Sequence, residues 1–150
     1  MKKFLLLSIL LLVYMLPTFA QRNVTPAIDR DPIMEADAKH NLDVARQAYA
    51  PLKRAYKQVL MRFEETYAAY PQFSNIDEFL YLAGMSSYYL SENNGKQKVD
   101  LKSAKEKEKY APEKLKGDAI AYLSTVVEKH PESKFRGDAE TTLKLLRAIK

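Results

Sequence analysis

His40 and His130 are the two side chains whose ordinary pKa lies near neutrality, so acid–base or metal chemistry in this chain has to be built around them. His40 stands with Asp37 three residues before it and Asp43 three after. On a helix that spacing gathers an imidazole and carboxylates on neighbouring turns, a set with the donors to touch a metal ion. A closed metal site needs three or four ligands in fixed geometry, and the trio reads instead as a solvated helix face. His130 stands before Pro131 at the end of an apolar stretch, a structural position where a cation is favoured by the helix dipole. The chain has no cysteine, which excludes thiol catalysis and disulfides. It contains no glycine-rich phosphate loop, no GxSxG and no HExxH. No catalytic residue, cofactor site or metal site is expected, and the chain reads as non-enzymatic.

The elements that position these residues are announced by a doubled phrase. YAAYPQFSNIDEFL (Tyr67 to Leu80) recurs sixty residues later as VEKHPESKFRGDAE (Val127 to Glu140), with Glu78 and Phe79 answered by Asp138 and Ala139. A helix end, a proline, a short turn and a helix start written twice imply stacked helical hairpins. Asp31 and Pro32 offer an N-cap and N1 for a first helix with apolar positions Met34, Ala38, Leu42, Ala45 and Tyr49. Pro51 reads as N1 of a second helix with face Leu52, Ala55, Val59, Phe63, Thr66 or Tyr67, and Tyr70. Ser74 and Asp77 resemble a capping box for a third, burying Ile76, Phe79, Leu80, Ala83, Ser87 and Leu90. A fourth starts near Pro112 and buries Leu115, Ala119, Leu123, Val126 and Val127. The fifth carries Phe135, Ala139, Leu143, Leu146 and Ile149. Alternation of period two is absent, so the expectation is an all-α domain of about five antiparallel helices over residues 31–150.

Residues 1–20 join a basic start (Lys2, Lys3) to an apolar run from Phe4 to Leu16, then Pro17, with Thr18 and Ala20 before a cleavage point. They read as a signal peptide, too short to span a bilayer as an anchor. Residues 21–30 read as a flexible lead. Gln21 follows the cleavage point where a lipoprotein would need its cysteine, so a periplasmic or secreted protein is expected. The formal charge is +5. It falls to +3 without Lys2 and Lys3, too mild to argue for nucleic acid. Residues 96–116 hold eight lysines against four acids. That lysine-rich insertion, at about 92–111, reads as a solvated loop or charged helix extension. Alternatively Lys96, Lys98, Lys102, Lys105, Lys107 and Lys109 form a docking strip for an acidic partner, an anionic membrane surface or a cell-wall polymer.

LYLAGMSSYYL (Leu80 to Leu90) resembles the first helix of a tetratricopeptide repeat, with Ala83 and Gly84 as the small pair at the helix crossing. AIAYLSTVVEKHP resembles the second, with Ala119, Leu123 and Pro131 at the repeat's small, large and closing positions. Registered this way, the loop between the two carries 23 residues more than the standard repeat. Residues 31–71 resemble a preceding repeat, and the last helix an unpaired half repeat that caps the stack. Within that superfamily YPQFSNIDEFLYLAG and HPESKFRGDAETTLKLLR are most similar to the BamD outer-membrane assembly lipoproteins. The resemblance implies a protein-interaction adaptor of the cell envelope, plausible in outer-membrane protein assembly, with an envelope protein or peptide as partner. It further implies that the first helix of each hairpin lines a concave surface. There Tyr81, Met85 and Tyr88 would present an apolar, adaptable patch, and His40, Asp43 and Gln47 a polar edge that orients a peptide. If not exposed, the three large side chains pack against neighbouring helices.

Overall fold

The computed structural model of the chain describes residues 30–100 and 102–148. The expected signal segment, all of the lead except Arg30, and the stripe residue Ile149 lie outside the described residues. Asp31 opens the first helix as its side chain predicts, its carboxylate accepting from the N–H groups of Ile33 (2.8 Å) and Met34 (3.3 Å). Pro32 occupies the first helical turn, where its missing N–H costs nothing. The helices are α1 (Pro32–Tyr49), α2 (Tyr56–Ala69), α3 (Ile76–Ser91), α4 (Ala104–Lys109), α5 (Pro112–Lys129) and α6 (Arg136–Ala148), with no strand among the described residues. The one helix beyond the expected five is α4, a short piece inside the lysine-rich insertion.

Packing runs α1 on α2, α2 on α3, α3 on α5 and α5 on α6, with α1 also touching α3. That order is two stacked hairpins with a final helix laid over the second. The core is the set of helical stripes: Ala38, Leu42 and Ala45 from α1, Phe79, Leu80 and Ala83 from α3, Leu115, Ala119, Leu123 and Val126 from α5, and Ala139, Leu143 and Leu146 from α6. Phe63 of α2 is the hub where the hairpins meet, lying 5.6 Å from Phe79 and 4.9 Å from Tyr122, both edge-on. α3 and α5 are in close contact at Gly84. A Cβ there would fall 2.7 Å from Leu123 Cγ, so this position requires the absence of a side chain.

The doubled phrase folds the same way twice. Tyr70 N–H donates to Thr66 O (2.7 Å) and His130 N–H to Val126 O (3.1 Å). Phe73 then donates to Tyr70 O and Ile76 to Phe73 O, as Ser133 does to His130 O and Arg136 to Ser133 O. Each turn is clamped by a carboxylate from the first turn of the preceding hairpin's leading helix. Glu35 Oε1 accepts from Ser74 N–H (3.0 Å), and Asp77 Oδ2 accepts from the Ser133 hydroxyl (2.6 Å). Burial pushes the Glu35 carboxyl up, but the hydrogen bonds from Ser74 outweigh it and leave it below its ordinary value.

Three expectations are corrected here. Pro51 lies in the connecting turn rather than at N1 of α2, because Arg54 takes a left-handed conformation (φ 43°) that no helix can pass through. Helix therefore resumes only at Tyr56, and Leu52 is left 84% exposed instead of joining the core face. The Ser74–Asp77 capping box does not form, since Asp77 is spent on the second turn and the Ser74 hydroxyl donates to Asn75 Oδ1 (3.1 Å). Nor is the insertion only a solvated loop: it is largely exposed but contains the charged helix α4 and is tied down at several points. Lys96 N–H donates to Arg54 O, Lys57 pairs with Glu106 at 2.8 Å, Lys109 pairs with Glu64 at 2.6 Å, and Tyr110 is buried between the Lys57 and Lys109 ammoniums, each 5.6 Å from its ring centre.

Candidate functional site

α3 carries the residues that the repeat register sends toward the concave side, and the structure separates them. Tyr81 is half-buried and stacks on Phe135, with ring centres 4.8 Å apart and planes at 17°. Tyr88 is also half-buried and lies 5.5 Å from Tyr89. Met85, at 7% exposure, is covered by α6, and its sulfur accepts from the Thr142 hydroxyl at 3.5 Å. It therefore serves the α3–α6 contact and offers no free surface to a ligand. Tyr89 extends the aromatic surface inward, stacking on Tyr56 at 5.3 Å and reaching Tyr49 at 6.4 Å.

Burial, joined by the neighbouring phenols of Tyr89 and Tyr81, pushes the Tyr49 phenol far up. Burial, then the nearby Asp138 carboxylate, raises that of Tyr81. Both stay neutral at any physiological pH. Their rings thus offer flat apolar area, and their hydroxyls can still donate or accept.

The polar edge beside these rings is not the one expected from His40, Asp43 and Gln47. His40 and Gln47 are exposed, and their side chains make no hydrogen bond among the described residues. Asp43 instead accepts from Arg46 Nη1 at 2.6 Å, one helical turn away. The rest of the Arg46 fork crosses from α1 to α3, where Nε and Nη2 donate to the two oxygens of Glu78 at 2.6 and 2.7 Å. This bidentate pair, followed by the attraction of Asp43, raises the guanidinium pKa further and keeps it charged. Arg46, Tyr49, Glu78 and Asp138 were not singled out as site residues from sequence. The available signal was the doubled phrase itself, whose equivalent acids are Glu78 and Asp138. In the structure the first is paired across helices and the second is exposed beside Tyr81.

The lysines of the insertion divide into two groups. Lys96 donates to Leu52 O and Lys109 pairs with Glu64, so these two tie the insertion to the domain, while Lys98 donates to Asn93 O within the insertion itself. Lys102, Lys105 and Lys107 are exposed and form no ion pair among the described residues. Beneath the insertion are two open cavities sharing the Tyr110 ring as a wall, about 430 Å³ toward α2 and about 320 Å³ toward the end of α3. Among the described residues no group of three His, Asp or Glu side chains converges on a point that could hold a metal ion.

A stack of antiparallel helical hairpins with a glycine where the second hairpin crosses defines a tetratricopeptide-like all-α domain. The chain belongs to the YfiO family of outer membrane lipoproteins, whose model matches residues 20–149 and which is the BamD-like family resembled by its phrasing. No curated protein and no solved structure matches it. No helix among the described residues is long and apolar enough to cross a membrane.

Proposed function

We propose that the protein is a non-enzymatic adaptor of the bacterial envelope, exported by residues 1–20 and holding a segment of an envelope protein during outer-membrane protein assembly. The observation that carries this reading is the half-buried ring surface of Tyr81 and Tyr88. The Tyr81 ring is stacked on Phe135 and the Tyr88 ring lies against Tyr89, so both are held in place while part of each stays accessible. Rigid aromatic platforms lose little conformational entropy on binding and dominate interface energetics. Family membership supports the envelope setting.

Crosslinking in cells that express the protein, followed by mass spectrometry, tests the reading. A defined envelope partner should be recovered, and Tyr81→Ala or Tyr88→Ala should weaken its recovery about tenfold or more, as loss of an aromatic anchor does. Equal recovery with both variants would place the partner elsewhere on the molecule. The rival reading, a binder of anionic lipid or cell-wall polymer, would rest on Lys102, Lys105 and Lys107, because the structure commits Lys96, Lys98 and Lys109 to internal contacts.

A further inference from the structure

The insertion reaches back from the second hairpin to the start of α2, a helix with no side-chain cap of its own. Gln97 Oε1 accepts from Gln58 N–H (3.3 Å), supplying the cap that Ala55 cannot. Lys96 donates through its N–H to Arg54 O (3.1 Å) and through its ammonium to Leu52 O (2.7 Å), holding the turn in which Arg54 is left-handed. Gly95 lies so close to the Tyr56 ring that a Cβ there would fall 3.1 Å from Cδ2. Tyr56 stacks on Tyr89, and Tyr89 lies against Tyr88. The Tyr89 carbonyl also accepts from Asn94 N–H at 2.8 Å. The root of the insertion is thus joined to Tyr89, which backs Tyr88, by two routes: the Tyr56 ring and the Tyr89 backbone.

The outer part of the insertion is held differently. Among the described residues of 92–111 only Tyr110 is buried, with an open cavity on either side of it. α4 meets α2 through the partly exposed pairs Lys57–Glu106 and Glu64–Lys109. Glu106 ties this part to the root, because its Oε2 accepts both from Lys57 and from Asp100 N–H, each at 2.8 Å. A segment fixed by such pairs over loosely filled space opens at low cost, independently of the hairpin core.

We propose that the insertion is a releasable brace that regulates the tyrosine surface. Docked, it caps α2 and holds Tyr56 and Tyr89 against Tyr88. Released, it frees the start of α2 and loosens Tyr88, while Tyr81, stacked on Phe135, keeps its place. The two states of one element then set the affinity of a surface on another, which is a coupling between sites. This inference rests on Tyr81 and Tyr88 being the adaptor's binding surface.

The test compares the full chain with Glu106→Lys, which sets like charges together at Lys57, and with the double charge swap Lys57→Glu and Glu106→Lys, which restores the pair at the parental net charge. In the single variant, amide exchange over residues 96–110 and at Gln58 should quicken about fivefold, the range for one such ion pair. The aromatic NMR signals of Tyr56, Tyr89 and Tyr88 should move with it while those of Tyr81 stay, and the swap should return both. Recovery of the envelope partner in crosslinking should fall about fivefold in the single variant, the low end of coupling between linked sites, and return in the swap. Tyr110→Ala, which removes the buried ring, is a second route to release. If neither variant quickens exchange, or exchange quickens while the three tyrosine signals stay, the inference is overturned. If Tyr81→Ala and Tyr88→Ala lower recovery while a released insertion leaves it unchanged, the adaptor reading stands and the regulation falls. If the signals move as expected but recovery ignores both tyrosine variants, the coupling stands and the adaptor reading falls.

Discussion

Gly84 is a residue at which α3 and α5 touch, and its missing side chain allows their close contact. In Gly84→Ala the new Cβ would meet Leu123 Cγ at 2.7 Å and Cδ2 at 2.8 Å, so the fully buried Leu123 side chain or the helix itself would have to shift. Overpacking of this kind costs about 1–3 kcal/mol, so the urea midpoint should fall with the slope unchanged. A midpoint equal to that of the parent protein would mean the helices can separate freely. This position was legible in the sequence through the resemblance to a tetratricopeptide helix, whose small pair falls on Ala83 and Gly84. Arg46 was not. Its partner Glu78 lies 32 residues away on another helix, and nothing in a linear string distinguishes an arginine that will cross a groove from one that will point at water. Met85 was placed on the correct helix, but whether α6 would cover it depended on the tilt of a helix that the periodicity cannot specify.

The insertion shows the same limit at the scale of an element. Its lysine density marked it as a departure from the repeat, while its docking was hidden because it depends on matched spacing in two separate segments. Lys57 and Glu64, two turns apart on α2, receive Glu106 and Lys109 from α4, positive to negative and negative to positive. Lys57, and then the Asp100 backbone N–H, hold the Glu106 carboxyl below its ordinary value of 4.5. A carboxyl depressed by folding contributes stability above its unfolded pKa and loses it as pH falls through the folded one. Amide exchange over residues 96–110, corrected for its intrinsic pH dependence, should therefore be protected at neutral pH and accelerate once the pH drops below about 4.5. Glu106→Gln should show that faster exchange already at neutral pH, whereas exchange in α3 and α5 should stay slow. If the insertion exchanges equally at both pH values, the ion pairs do not hold it down. Pro51 was misread for a related reason. Proline marks a boundary, but the left-handed residue that decides where the next helix begins is Arg54, a type with no preference for that conformation.

For the whole molecule, stability should be shared between neighbouring hairpins rather than spread evenly, as expected when each unit touches only the next. α6 covers Met85 and packs along α5, so a chain truncated before Arg136 loses the cover of its second hairpin. Such a truncation should unfold at lower temperature with a broadened transition and should self-associate on gel filtration. A sharp transition at the parental temperature would show that α6 is dispensable. The architecture was readable at this scale because a sixty-residue echo survives changes in most of its letters. The two carboxylate clamps add a consequence for engineering. The stretch between the twin turns is a cassette with similar ends: Asp77 within it accepts from the Ser133 hydroxyl, and Glu35 before it from the Ser74 N–H one register position later. Gly137 stands at the place of Asp77 in the next register, and a side chain added there meets nothing within 4 Å. Writing aspartate at that position would supply the missing latch, so that a further copy of the sixty-residue unit could be spliced on and the groove lengthened by one module.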